Sequence, residues 1–293
     1  MTIIIALLIL TLVVLVHELG HFVAAKRIGI PIYELSLGFG YKLFSFKRNG
    51  IEYALRLFPI GASVRMAGEE PGDMDNRDGY NARTPLEKIR VAFAGPFMNF
   101  VLAVAIFIFS YAVVGIPQAV NEPVIGKIMP DTPADQAGLR ENDRVISVNQ
   151  VKVNSWTEFM NCIKQNPLGK DVSLVIQRNG DTRTIVVTPI KNANTGKPMI
   201  GVYSKIEYQR QGIIKATRMG FSQTYDMTAM LLQGMGMLFS GKASVSDLTG
   251  PVGITSMASD AAQGGYLLLF TAFLSIALGL FNLFPIQIGR AHV

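Results

Sequence analysis

The sequence predicts an α-helical multi-pass membrane protein with an inserted α+β domain, and three observations predict it. Only 16% of the 293 residues are charged while 49% are hydrophobic, with a mean hydropathy of +0.33; soluble domains usually carry about 25% charged residues. Three apolar runs, residues 1–25, 91–116 and 266–286, are long enough to cross a bilayer core of about 30 Å. Between the second and third, residues 121–205 carry the pattern of a capped helix and a β-hairpin. The hydrophobicity excludes a disordered chain. The one cysteine, Cys162, excludes an internal disulfide and any Cys-based zinc finger or iron–sulfur cluster. The net charge is +6, but no Lys/Arg-rich run carries interleaved aromatics. The basic excess therefore suits loops facing an anionic leaflet, with the lipid bilayer as partner and no nucleic acid.

The first span is apolar from Ile3 to Val16 except for Thr11, and as one helix it reaches about 36 Å. Nothing basic precedes Lys26, which argues for an uncleaved span over a secretory signal peptide. The second span, 91–116, contains only Asn99, Ser110 and Tyr111 as clearly polar side chains; the third, 266–286, is interrupted by Thr271, Ser275 and Asn282. Residues 212–240 mix Lys215, Arg218 and Asp226 with Met and Leu and read as an amphipathic surface helix or helix pair. Lys26 and Arg27 follow the first span and Lys88 and Arg90 precede the second. That bias places 26–90 on the cytoplasmic side and 117–265 outside.

In the insert, Ser155-Trp156-Thr157-Glu158 reads as a capping box, followed by Phe159, Met160 and Ile163 at helical spacing. Cys162 is placed on the polar side of that helix, as a passive thiol. Val172, Leu174 and Ile176 alternate, Asn179-Gly180 turns, and Ile185 and Val187 alternate back, which is a hairpin signal. Before the helix, Pro130 to Asn149 resembles the bacterial PDZ signature, with Asn142 where glycine is usual; Asn also tolerates the left-handed conformation. The resemblance implies a PDZ domain, which takes peptide C-termini by strand addition. A β-rich spacer that binds nothing is the alternative.

The first span ends in His17-Glu18-Leu19-Gly20-His21. Positions four apart on a helix share a face, so both imidazoles point the same way and can hold one Zn²⁺, while Glu18 can reach a water as general base. A catalytic zinc needs a third protein ligand. The extended HExxHxxGxxH pattern fails, because Ala24 and Arg27 stand at its last two fixed positions, and the remaining histidine is His292. The third ligand must be a carboxylate elsewhere; Glu34, Asp247 and Asp260 are conceivable substitutes.

Five ordered motifs carry a specific resemblance: His17–His21, Gly95-Pro96-Phe97-Met98-Asn99, the PDZ-like insert, Gly250-Pro251-Val252-Gly253-Ile254, and Asn282-Leu283-Phe284-Pro285-Ile286. Together they resemble the site-2 protease family of intramembrane zinc metalloproteases in its bacterial single-PDZ form. The resemblance implies hydrolysis of a peptide bond in or near a transmembrane segment of single-pass membrane protein substrates, such as an anti-sigma factor or a remnant signal peptide. It implies the bacterial inner membrane, with the PDZ domain extracytoplasmic. It assigns zinc to His17 and His21, catalysis to Glu18, and substrate binding to Asn282 and Pro285. It also makes 26–90 a membrane-associated β-region, with Tyr33–Phe39, Lys42–Lys47, Glu52–Phe58 and Gly61–Gly68 as strands and turns. Helix packing is an alternative role for Asn282.

After Ile286 the family pattern continues with Leu-Asp-Gly-Gly, the source of the third zinc ligand, and a fourth span; this chain reads Gln287 to Val293 instead. Residues 287–293 are expected to be a non-native tail, since Ile288 to Val293 is what a common sequencing-library adapter encodes in one frame. A chain lacking that aspartate is expected to have little or no activity. The competing reading is a membrane-tethered PDZ peptide-binding protein with a vestigial metal site. A membrane-anchored zincin acting on soluble substrates lacks a placed third ligand.

Overall fold

The computed structural model describes residues 2–192, 195–241 and 266–283. It comprises two compact units, one made of Met1–Val113 with Gln211–Val293, the other of Val114–Arg210. In the first unit, helix α1 (Thr2–Ile28) runs past the expected end at residue 25. Phe22 and Ala25 there enter a buried cluster with Ile30, Ile32, Ile51, Met66 and Val91, so packing continues the helix after the apolar run stops. Gly29, at φ 81°, ends it, and the Ile30 N–H returns to the Ala25 carbonyl at 3.0 Å.

Strands β1 (Ile32–Arg48) and β2 (Ile51–Met66) form an antiparallel pair that folds on itself. Leu35 faces both Tyr53 and Val64, and Leu37 faces both Leu55 and Ala62. Each strand therefore acts as two segments, in the lateral order 42–48, 51–56, 32–37, 62–66. The four expected strand stretches are these segments. They bend at Gly38 and Gly40 (φ 85° and 89°) and at Pro59 to Gly61 (φ 79° at Gly61) rather than ending there. A Cβ at Gly38 would meet the Phe58 carbonyl, so the bend needs glycine. Thr11 of α1 fixes the second bend: its hydroxyl lies 3.1 Å from the Pro59 carbonyl and accepts from the Gly61 N–H at 3.2 Å. Buried Glu34 is held by Lys42 at 2.8 Å and Arg56 at 2.6 Å, and Lys42 also reaches Glu52 at 2.9 Å. Phe39, Tyr41, Leu43, Phe44 and Phe58 remain exposed at the far end.

Helix α2 (Pro85–Phe109) starts before the apolar run, because Thr84 caps it: Oγ accepts from the Glu87 N–H, and the Glu87 carboxylate accepts from the Thr84 N–H at 3.0 Å. This capping box was not read from the sequence. Ser110–Val114 continues as a π-helical turn.

In the second unit, β3 (Ile116–Ala119) and β4 (Ile125–Ile128) precede the short helix α3 (Pro133–Gln136). Strands β5 (Arg144–Val148) and β6 (Val151–Lys152) then lead to helix α4 (Trp156–Gln165). Next come β7 (Val172–Arg178), β8 (Asp181–Val187), β9 (Ile190–Lys191), β10 (Pro198–Met199), β11 (Val202–Ser204) and β12 (Ile206–Gln209). One sheet has the order β6-β5-β7-β8, while β11 pairs with β4 and β12 with β3. The last pairing widens the unit beyond the expected 121–205. The β7–β8 turn has positive φ at Asn179 and Gly180, as a two-residue hairpin loop requires, and Asn142 is left-handed at φ 68°. Ser155 caps α4 by accepting from the Glu158 N–H, but the Glu158 carboxylate accepts from Asn154 instead of Ser155, so the box is offset by one residue. Cys162 packs, half-buried, against the core of Phe159, Ile163, Leu174 and Ile176, not on the polar side. Fully buried Asp143 takes two 2.7 Å bonds from Arg178 and one of 2.8 Å from the Arg140 N–H.

Returning to the first unit, 212–240 forms one helix, α5 (Ile213–Phe239), not a pair. Its Gly220 lies against Ile108, and Met227 and Leu231 pack onto the cluster of Ala103 and Phe107. Helix α6 (Leu267–Leu283) seats Ala272 and Ile276 in that cluster. By length and composition Ile4–Ile28 and Pro85–Val114 are long enough to cross a membrane, while Leu267–Leu283 is a shorter apolar helix. The Gly250–Ile254 motif, Asp247, Asp260, Pro285 and residues 287–293 lie outside the described residues.

Removing Arg178 would leave a buried unpaired carboxylate, a change that typically costs 3–5 kcal/mol, about the scale expected for Arg178→Met. Trp156, the one tryptophan, belongs to this unit, so urea titration followed by its fluorescence measures the loss. In the first unit, burial alone would raise Glu34, but hydrogen bonds from Lys42 and Arg56 outweigh it and hold the carboxyl below its ordinary range. A depressed acid stabilises the fold above its unfolded value, about 4.3, and loses that contribution as pH falls through the folded one. Amide exchange at 51–56, corrected for intrinsic rates, should lose protection between pH 7 and pH 3, and Glu34→Gln should show reduced protection already at pH 7.

Candidate active site

Helices α1 and α2 cross with almost nothing between their backbones. A Cβ on Gly20 would strike the Ala94 carbonyl and lie 2.8 Å from Gly95 Cα, so glycine alone permits the approach. The crossing brings His17 and His21, one helical turn apart, over the α2 backbone. There a Cβ on Gly95 would strike His21 Nε2 and lie 2.8 Å from His17 Nε2. Glycine keeps that space clear.

The two Nε2 atoms are 3.2 Å apart. Two nitrogens on one tetrahedral zinc, each about 2.05 Å away, lie about 3.3 Å from each other, so this edge has the size a zinc site needs. Both outer nitrogens are engaged. His21 Nδ1 lies 2.7 Å from the Val91 carbonyl, which can only accept; Nδ1 therefore carries the proton and Nε2 presents a lone pair. His17 Nδ1 lies 3.1 Å from the amide of fully buried Asn99. Such outer contacts orient metal-ligating histidines. The pair could thus hold a zinc ion through Nε2. Among the described residues there is no group of three or more His, Cys, Asp or Glu side chains placed to hold a metal. Glu34 does not substitute, since its carboxylate is committed to Lys42 and Arg56.

A cavity of about 550 Å³ opens beside the histidines. His17, Glu18 and His21 form one wall; Ala62, Ser63, Val64 and Met66 of the outer sheet segment form another. The Val64 N–H donates to Glu18 Oε2 at 3.2 Å. Val91, Ala92 and Pro96 contribute from α2, where Pro96 has no N–H to return to the Ala92 carbonyl. Glu69 and Tyr80 lie at the cavity, and burial, with the Glu69 charge adding, raises the Tyr80 phenol above its ordinary value. Asn282 also lines it, with Nδ2 donating to its own helix at Leu278 O, 2.9 Å away.

Of the residues singled out by sequence, His17, Glu18, His21 and Asn282 therefore meet at one cavity. Asn99, the Val91 carbonyl, Gly95, the Val64 N–H, Glu69 and Tyr80 were not assigned a place there. Asn99 left a usable signal, as a polar side chain inside an apolar span, and Gly95 opens the motif quoted with it.

The chain matches Peptidase family M50 over residues 5–288. It is 31% identical to the zinc metalloprotease RasP of Oceanobacillus iheyensis over 97% of this chain and 87% of that one. It is 36% identical to a putative zinc metalloprotease of Clostridium perfringens over 97% of this chain and 84% of that one. It is 30% identical to the regulator of sigma-W protease RasP of Bacillus subtilis over 97% and 86%. Among solved structures, the PDZ domain of an SdrC-like protein from Listeria monocytogenes aligns at 19% identity with a TM-score of 0.25, covering 29% of this chain and 84% of that one. Together with the paired imidazoles beside a carboxylate, the match over nearly the whole length settles the family: the chain belongs to Peptidase family M50, the site-2 proteases, and is a metalloendopeptidase.

Proposed function

We propose that His17 and His21 hold a zinc ion through Nε2, that Glu18 is the general base, and that the enzyme cuts a peptide bond in or near a membrane-spanning segment of a single-pass substrate. The observation that carries this is the pair of Nε2 atoms 3.2 Å apart over Gly95, with each Nδ1 tied to α2. Zinc, when bound, supplies Lewis acidity that polarises a carbonyl and acidifies water. The chain's own groups do the rest. The Val64 N–H fixes one oxygen of Glu18, which directs the carboxylate into the cavity to take a proton from the attacking water and return it to the leaving amine. A helical peptide bond is shielded, so the substrate must be extended first. The outer segment 62–66 borders the cavity and can take an extended peptide as an added strand. Asn282 faces the same space and is assigned to the substrate backbone, with Pro285 beside it in sequence.

The basic residues at 26–27 and 88–90 support a bacterial inner-membrane protein with 26–90 on the cytoplasmic side and the Val114–Arg210 unit extracytoplasmic. That unit is read as a PDZ domain that receives peptide C-termini, on the strength of the Pro130–Asn149 pattern and the left-handed Asn142. The name of one relative, regulator of sigma-W protease, supports an anti-sigma factor as substrate; a remnant signal peptide rests on the motif resemblance alone.

Metal analysis separates this reading from a peptide-binding protein with a vestigial site. Purified protein should contain zinc, and His21→Ala should lose it. The 293-residue chain should cleave little, since Gln287 to Val293 stands where the family has its aspartate; in protein carrying the family's Leu-Asp-Gly-Gly continuation, Glu18→Gln should keep zinc while cleavage of a model transmembrane substrate falls by about 10²–10⁴-fold, the usual contribution of a general base. Zinc-free wild type, or Glu18→Gln cutting at the wild-type rate, would overturn the assignment.

A further inference from the structure

His21 has its tautomer fixed by a group with one possible role, since the Val91 carbonyl accepts and nothing else. His17 is different. Its Nδ1 faces the side-chain amide of Asn99, and an amide can either donate or accept. With Nδ2 turned toward the ring, His17 Nδ1 must accept. The proton then sits on Nε2 and no lone pair is left for a metal. In this orientation Asn99 Oδ1 is buried with no partner among the described residues, a place the NH₂ group takes on reversal, so the imidazole contact decides which end faces the ring. The two ends of the amide are nearly isosteric, so a half-turn about its last bond keeps the 3.1 Å contact and reverses its sense.

We infer that Asn99 is the positioning residue for His17: with Oδ1 toward the ring it accepts the Nδ1 proton and leaves Nε2 free to bind a metal. The inference rests on the zinc assignment proposed above. The neighbours of Asn99 suit the task. Ser275 of α6 donates to the Asn99 backbone carbonyl at 2.8 Å, and a Cβ on Gly279 would come within 3.2 Å of Asn99 Cβ, so the helix backbone at 99 is clamped while the amide end stays against the imidazole. An amide also supplies the acceptor without a charge. A carboxylate there would add a buried anion inside an apolar bundle, where charged groups cost at least about 2.5 kcal/mol on insertion scales.

The test compares Asn99→Leu, which removes the acceptor, with Asn99→Asp, which keeps an oxygen toward Nδ1, in the whole chain in detergent. Zinc affinity is read by competition with a chromogenic chelator. Loss of an outer contact to a ligating histidine typically weakens metal binding 10–100-fold, so Asn99→Leu should fall by about that factor and Asn99→Asp should bind within a few-fold of wild type. The ¹⁵N spectrum of histidine-labelled, zinc-loaded protein should show His17 protonated at Nδ1 in wild type and Asn99→Asp. Only three histidines are present, so His17 can be assigned by substitution. Equal zinc affinity in wild type and Asn99→Leu, or equal loss in both variants, would overturn the role of Asn99 while leaving the zinc site standing. Failure of the wild type to bind zinc would overturn the site itself.

Discussion

The site depends on the distance between two helix backbones. Lipid tails are as apolar as leucine, so helices in a membrane gain nothing from burying apolar side chains against each other and associate through close packing and polar contacts. Here Gly20 lets α1 settle onto Ala94 and Gly95. That approach brings the Val91 carbonyl and the Asn99 amide within 2.7 and 3.1 Å of the two histidine rings. A side chain at residue 20 would push the helices apart and release both contacts together. Gly20 stands inside the His17–His21 pentad for a packing reason, while His17, Glu18 and His21 line the cavity beside it.

The sheet is placed by the same helix. Thr11 grips the bend of β2 at Pro59 and Gly61, and two turns later Glu18 accepts from the Val64 N–H. The outer segment therefore runs beside α1 with its edge toward the cavity. Unpaired strand edges are costly in lipid and tolerated only where they are covered or line a polar cavity. The edge at 62–66 meets that condition, since the cavity offers a carboxylate, imidazoles and an amide.

Much of this was legible in the sequence wherever one local rule decides the outcome. The spacing of His17 and His21 fixes their common face on any helix. Asn179-Gly180 dictates its turn, and the left-handed Asn142 follows from the residues that tolerate that conformation. What escaped depends on tertiary pairing. The stretch 32–37 is paired on both sides, a fact no alternation pattern encodes. Glu158 reached the N–H of Asn154 instead of Ser155 because tertiary geometry chose between adjacent donors. Cys162 looked polar-facing by helical spacing, but the core of its unit extends around that side. Glu69 and Tyr80 reach the cavity only because Ala67 and Tyr80 are hydrogen-bonded at 2.7 Å across the intervening loop.

Helix α6 shows why a weakly polar stripe in an apolar span needs care. Ser275, Gly279 and Asn282 recur at spacings of four and three, so they share one face. Read alone, the stripe is equally a packing face or a catalytic one. In the structure Ser275 bonds to the α2 backbone, Gly279 admits the Pro96 carbonyl where a Cβ would sit 3.1 Å away, and Asn282 lines the cavity one turn further on. The first two contacts set the register of α6 on α2, and that register decides which residue faces the histidines. A shift of one residue would turn the face by about 100° and carry Asn282 out of the cavity. The small residues of α6 thus define the site as firmly as its polar ones, because they determine where the polar ones point.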